Sequence, residues 1–236
     1  MESKIAKAIK LRGEPVAIWR AGAAPEGALT LTPGKWGCTV ALLSAASRGR
    51  TAAASLETTV CRGGRAGLGL GKYETGEIEY FLSTGGRGPR PGERYKQSPE
   101  LALEFIRGLP EAPSSCTVFA PLSRAEEGRP EAVVFLVNAD QLSALVTLAN
   151  FDRAGQDGVR VLFGAGCTQC VLYPLAEQAR GGDACFIGLT DPSARKCVSA
   201  DLLAFAAPYG RFLAMEANAD ESFLHTETWE IISKRI

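Results

Sequence analysis

Short apolar bursts of strand length alternate along the chain with stretches in which apolar residues recur every three or four positions, and this succession predicts a mixed α/β protein. At the start, Ile5, Ala8, Ile9 and Arg12 fall at helical spacing with Lys4, Lys7 and Lys10 opposite, a short amphipathic helix. "PVAIWR" (15–20) reads as a strand. "CTVALLSAASRG" (38–49) reads as a helix apolar on most sides, hence buried, and ended by Gly49. "TAAASL" (51–56) follows as a strand, and then a glycine-dense segment, "CRGGRAGLGLG" (61–71).

Between Tyr73 and Gln97 the chain is polar and punctuated by glycine and proline, which predicts a long surface flap. Ser98 and Pro99 form the N-cap and first residue of a helix with Leu101, Phe105 and Leu109 on one stripe. "CTVFAPL" (116–122) and "AVVFLVN" (132–138) are the clearest strands. The second runs into a helix capped by Asn138 with Gln141 three residues on, whose inward face is Leu142, Leu145, Val146 and Ala149. The remainder repeats the scheme: strand 159–166, helix 167–179 kinked at Pro174, strand 184–189, a helix start at Asp191-Pro192, strand 202–208 and helix 209–224. No internal repeat interrupts it. The expectation is one α/β domain over 1–236, a mixed β-sheet flanked by helices, with a Gly/Pro-rich surface flap at about 73–97.

Charge and composition narrow the function. Twenty-six basic and twenty-six acidic residues cancel, and no basic stripe interleaved with aromatics tracks a phosphate backbone, so nucleic acid is not an expected partner. The arginines between Arg62 and Arg94 sit among glycines and prolines and read as a solvated loop. No run approaches the ~18 apolar residues that span a bilayer, and the N-terminal stretch lacks the apolar core of a secretory signal. The expectation is a cytoplasmic protein without a membrane partner. Seven cysteines are about 3% of the chain, far below a disulfide scaffold, and in a reducing compartment they are free thiols or ligands.

Histidine chemistry has little room, because His225 is the only histidine and reads as a surface or cap residue. Cysteine remains. Cys167 and Cys170 form a C-x-x-C that a thiol-disulfide protein could use, but no second C-x-x-C completes a zinc knuckle. Cys38, Cys61 and Cys167 share another feature: each adjoins glycine, namely Gly37, the pair Gly63 and Gly64, and Gly166. Backbone amides approach closely there and can offset the charge of converging thiolates, an environment suited to an anionic iron-sulfur cluster. Trp36, beside Cys38, reads either as a shield for such a site or as core filler. Cys116, Cys185 and Cys197 read as small buried hydrophobes. Asp191 and Arg195 read as an ion pair, Glu216 and Glu221 as solvent-facing, and Asn138 and Gln141 as helix caps. A rival reading needs no metal: the glycines of 63–71 cradle an anionic small molecule, or serve a regulatory protein, although their spacing is not a dinucleotide fingerprint.

The motifs "GKWGC" (34–38), "CRGGRAGLGLG" (61–71), "FLSTG" (81–85), "GERYKQSPEL" (92–101), "NADQLSALVTLANF" (138–151), "FGAGC" (163–167), "IGLTDPSAR" (187–195) and "MEANADESFL" (215–224) resemble those of the uncharacterised family called domain of unknown function 169, or ArCR. The resemblance covers nearly the whole chain and carries no established reaction. It implies that Cys38, Cys61 and Cys167 are the cysteines that match the family's motifs. At Cys170, commonly apolar in the family, this sequence departs. Three thiolates on a 4Fe-4S cluster leave one iron open to a small-molecule ligand, and Cys170 is the candidate fourth ligand that would close it. The expected partner is a small molecule, with a homodimer as the candidate assembly.

Overall fold

The computed structural model describes residues 1–72, 76–88, 91–126 and 129–236. Helix α1 (Lys4–Ala8) is capped by the Ser3 hydroxyl, and β1 (Val16–Ala21) follows. Next come α2 (Val40–Ser47), β2 (Ala52–Ser55), α3 (Arg62–Gly67), α4 (Glu77–Ser83) and α5 (Pro99–Arg107). Strands β3 (Cys116–Pro121) and β4 (Ala132–Val137) lead to α6 (Ala139–Leu148). The last third holds β5 (Val159–Arg160), α7 (Tyr173–Ala179), β6 (Cys185–Gly188), β7 (Leu203–Pro208), α8 (Tyr209–Asn218) and α9 (Glu227–Ser233).

The seven strands form one mixed sheet in the order β2-β3-β1-β4-β7-β6-β5, antiparallel throughout except between β5 and β6. The central strand β4 shows why the sheet needs cover on both sides. Ala132, Val134 and Leu136 pack into one core with α2 and α7, whereas Val133, Phe135 and Val137 pack into the other with α1, α6, α8 and α9. A strand apolar on both faces cannot leave either face in water, and helices on each side complete the layers.

Where sequence and structure differ, tertiary packing is the reason. The stretch read as a surface flap carries α4, whose start is closed by Glu79 accepting from the Gly76 amide at 2.5 Å; Tyr73, Glu74, Thr75, Pro89 and Arg90 lie outside the described residues. The glycine-dense segment is the helix α3. The strand expected over 159–166 pairs only at Val159 and Arg160, and the chain then leaves the sheet to approach the site. Before α7 runs one π-helical turn, Thr168–Leu172, in which the Tyr173 amide bonds the Thr168 carbonyl. Pro174 follows directly on this turn within a continuous helical run, and it lacks the N–H that a hydrogen bond back into the turn would need.

Candidate functional site

Three helix starts meet on the α2/α7 face of the sheet. Cys38 precedes Thr39, the N-cap of α2, and the Val40 amide donates to its sulfur. Cys61 is the N-cap of α3, its sulfur accepting the Gly64 amide at 3.3 Å. Cys167 opens the π-helical turn, donates to the Gly63 carbonyl at 3.3 Å and takes a hydrogen bond from the Thr39 hydroxyl. All three sulfur-bearing residues line one cavity of about 620 Å³, together with Trp36, Gly63, Gly64 and Gly166.

The glycines make this convergence possible. A Cβ on Gly64 would stand 2.9 Å from the Thr39 methyl, and one on Gly166 would stand 2.8 Å from Ala194 Cβ. A Cβ on Gly67 would meet the Cys167 sulfur at 2.5 Å and the Thr168 amide nitrogen at 2.8 Å. Real side chains do not approach so closely, so glycine lets α3 lie directly against the Cys167 turn. Gly37 packs on Leu31, and Gly63 faces no atom nearer than the Cys61 sulfur at 4.0 Å. The amides of this segment serve the helix: Arg65 N bonds the Cys61 carbonyl, Leu68 N that of Gly64 and Leu70 N that of Arg65. Those amides, and that of Gly64 on the Cys61 sulfur, are thus taken up within the segment itself.

Electrostatics at the cysteines follow from burial and proximity. Burial pushes the Cys38 thiol up to about 12, helped by the nearby Cys197 and opposed by the Val40 amide. Cys167 lies well above the ordinary thiol range through burial, then through the charges that Cys61 and Cys38 would carry. Gathering these sulfurs as thiolates therefore requires a compensating cation.

The donor set is sulfur, which suits thiophilic centres and iron-sulfur clusters rather than hard cations. Among the described residues no group of three or more His, Cys, Asp or Glu is arranged to hold a single metal ion. Ligands of one zinc ion share a centre about 2.3 Å from each sulfur. A four-iron cluster places each thiolate on a separate iron and needs its ligands wider apart. Two buried hydroxyls near the cysteines, Thr59 Oγ1 and Thr168 Oγ1, have no hydrogen-bond partner among the described residues, donors of the kind that stabilise bound sulfur. The sulfur donors and these two hydroxyls are of the kinds a cluster site uses, and Cys38, Cys61 and Cys167 are the residues that would hold one.

Residues 4–218 match the family model of the uncharacterised ArCR proteins, domain of unknown function 169. The chain belongs to this family. No curated protein and no solved structure gives a significant match. In this ArCR protein, the three cysteines with glycine one or two positions away, Cys38, Cys61 and Cys167, share the cavity.

Other expectations change. Cys170, one turn beyond Cys167, does not line the cavity; it is fully buried and packs against β6, 2.8 Å from where a Cβ on Gly188 would stand. Cys197, read as a buried hydrophobe, is half-buried and acts on Cys38 from the end of the 3-10 turn Pro192–Cys197. Nothing local marks it, since it lies more than 150 positions from its neighbour. Trp36 is not core filler: it is 62% exposed at the cavity mouth, with Lys196 Nζ 4.8 Å over its ring. Asp191 and Arg195 do not pair. Asp191 accepts from the Gly166 amide at 3.1 Å and from Ser193, while Arg195 donates to the carbonyls of Ala200 and Leu202. Glu216 is buried and takes bonds from the Ser3 hydroxyl and the Lys4 amide, which tie the N-terminus to α8. Gln141 caps as expected and also donates to the carbonyls of Ile9 and Lys10.

No helix among the described residues is long and apolar enough to cross a membrane.

Proposed function

We propose that this protein binds a 4Fe-4S cluster through Cys38, Cys61 and Cys167, with the iron that lacks a cysteine facing a cavity for a small molecule. The observation that carries the reading is the meeting of these three residues, 23 and 106 positions apart in sequence order, on one cavity wall. The cluster would supply a Lewis-acidic iron able to hold an oxygen or sulfur atom of a ligand. The chain's own contribution is the three thiols, the Val40 and Gly64 amides that donate to two of them, and the Thr39 hydroxyl on the third. Trp36 and the α4 segment stand at the cavity and limit its access to water.

The test is anaerobic purification followed by iron and sulfide assay. Wild type is expected to carry both, with the visible charge-transfer absorption of a cluster, and Cys38→Ser, Cys61→Ser and Cys167→Ser to lose most of it. Cys170→Ser retains it. Equal iron in all of these proteins, or none in any, refutes the proposal.

The metal-free small-molecule reading draws support from the cavity itself, which is large enough for a ligand without iron. Colourless protein from anaerobic cells that still binds a cavity ligand favours it. The thiol-disulfide reading of Cys167 and Cys170 gains no support from the cavity, which only Cys167 lines.

A further inference from the structure

The cavity that ends at the three cysteines is walled by rings. Trp36, Tyr80, Phe81, Tyr95, Phe105 and Phe163 all line it, six of the eighteen aromatic residues in the chain. The sheet core draws on others, with Phe119, Phe135, Phe205 and Phe212 fully buried there. Phe163 meets Phe105 edge-on at 4.8 Å and Tyr95 at 6.4 Å, both near-perpendicular arrangements. Its backbone is held in place: the Tyr173 hydroxyl donates to the Phe163 carbonyl at 2.7 Å and Gln169 donates to the Leu162 carbonyl at 2.8 Å. From the neighbouring cleft Lys96 stands over both rings, 4.2 Å from Phe163 and 5.1 Å from Phe105. The Phe163 side of the wall is therefore held in place by the protein's own contacts.

Charge decides what such a wall can take. Among the described residues, the charged ones lining the cavity are Arg62, Lys196, Glu77, Glu93 and Asp191, so acids outnumber bases there. Arg62 pairs with Glu77 at 2.8 Å, Lys196 lies over Trp36, and Asp191 is occupied by Gly166 and Ser193. Among the described residues that line this cavity a phosphate or carboxylate finds no surplus of positive charge, and Lys96 belongs to the lining of the neighbouring cleft. The hydroxyl-bearing side chains of the wall are Thr39, Tyr80, Tyr95 and Ser193 among the described residues, and of these the Tyr95 hydroxyl stands next to the Phe163 ring and accepts the Ser193 amide at 3.1 Å beside Asp191. A volume of about 620 Å³ accommodates one or two fused rings with room to spare.

We infer that the cavity binds an uncharged hydroxyaromatic molecule, of the phenol or naphthol class, its ring against Phe163 and Phe105 and its hydroxyl at Tyr95. This rests on reading the cavity as the small-molecule site and not on the presence of iron. The probe is 2-naphthol, titrated calorimetrically into the full chain, both as purified anaerobically and after removal of any iron. One molecule is expected to bind per chain in both preparations. Phe163→Ala, at a partly exposed position that leaves the sheet core intact, weakens binding about tenfold, the scale of losing one well-placed aromatic contact. Tyr95→Phe, a second variant that keeps the ring, weakens it roughly threefold or more by removing one hydrogen bond. No binding of 2-naphthol in either preparation, equal affinity in Phe163→Ala, or tighter binding of naphthalene-2-carboxylate overturns the inference. Iron without naphthol binding sinks this inference alone, and naphthol binding without iron sinks the cluster alone.

Discussion

Gly67 and Gly63, four residues apart in α3, set up a comparison in which one methyl group reports on how closely the helix rests against Cys167. Glycine inside a helix costs roughly 0.5–1 kcal/mol relative to alanine, so on propensity alone both Gly67→Ala and Gly63→Ala stabilise the protein. Sterics separate them. The methyl at 63 faces only the Cys61 sulfur at 4.0 Å, an ordinary contact. The methyl at 67 would lie 2.5 Å from the Cys167 sulfur and 2.8 Å from a backbone nitrogen. A sulfur at the end of a side chain can rotate aside, but the Thr168 amide moves only if the π-helical turn moves with it. Overpacking of this kind costs about 1–3 kcal/mol. Subtracting the propensity gain leaves Gly67→Ala about 0–2.5 kcal/mol less stable than wild type, and Gly63→Ala unchanged or up to ~1 kcal/mol more stable. Urea denaturation measures both, and for a chain of this size the difference corresponds to a few degrees in Tm. Alkylation of Cys167 in the native state should rise in Gly67→Ala and stay low in Gly63→Ala. If Gly67→Ala is as stable as Gly63→Ala, α3 does not rest on the Cys167 turn and the site geometry described above is wrong.

Removing Cys197 should lower the pKa of Cys38, because the neighbouring thiol raises it; Cys38 in Cys197→Ser then reacts with iodoacetamide at lower pH in iron-free protein, and an unchanged rate profile contradicts the contact. Asp152, hydrogen-bonded and ion-paired to the buried Arg211, has its carboxyl pulled down to about 2 from 3.8. A depressed carboxylate adds stability above the unfolded value and loses it as pH falls through the folded one, so wild type weakens between about pH 4 and pH 2. Asp152→Asn flattens that acid limb and costs about 1–2 kcal/mol at neutral pH, a figure held down because Asp152 still touches water; an acid limb identical to wild type in urea titrations refutes the pairing. Asn138→Ala removes the side-chain cap that accepts the Gln141 amide at 3.0 Å and should cost about 1 kcal/mol in chemical denaturation. No loss there means that the ties of Gln141 to the α1 end hold the start of α6 by themselves.

The elements that could be read directly were those whose signals are local. Strand β4 is an unbroken apolar run, and α6 begins at a cap with its partner three residues on, so both stand close to where the pattern put them. Helix α4 was hidden because its neighbours are glycine, proline and charge, and α3 because three of its six residues are glycine, the poorest helix former after proline. Their helicity comes from what they pack against, α4 on α5 and α3 on the Cys167 turn. Propensity is a weak prior that tertiary contact overrides.

At the site the division is similar. Glycine beside Cys38, Cys61 and Cys167 marked those residues, and the family resemblance selected the same three, since a close approach of backbone to sulfur leaves a trace in adjacent positions. The sequence by itself thus determined the fold class, the start of α6 and which cysteines adjoin flexible, amide-rich backbone. Only the tertiary structure decided that Cys197 stands beside Cys38 while Cys170 turns into the sheet, that Arg195 serves carbonyls instead of Asp191, and that six rings gather around one cavity. The meeting of Cys38 with Cys197 and the gathering of the rings depend on the strand order and on which helix rests on which face, and contacts so far apart in sequence leave no pattern in the residues on either side. The carbonyls that Arg195 serves and the sheet contact of Cys170 are nearer in sequence but follow from loop and turn paths that periodicity does not give.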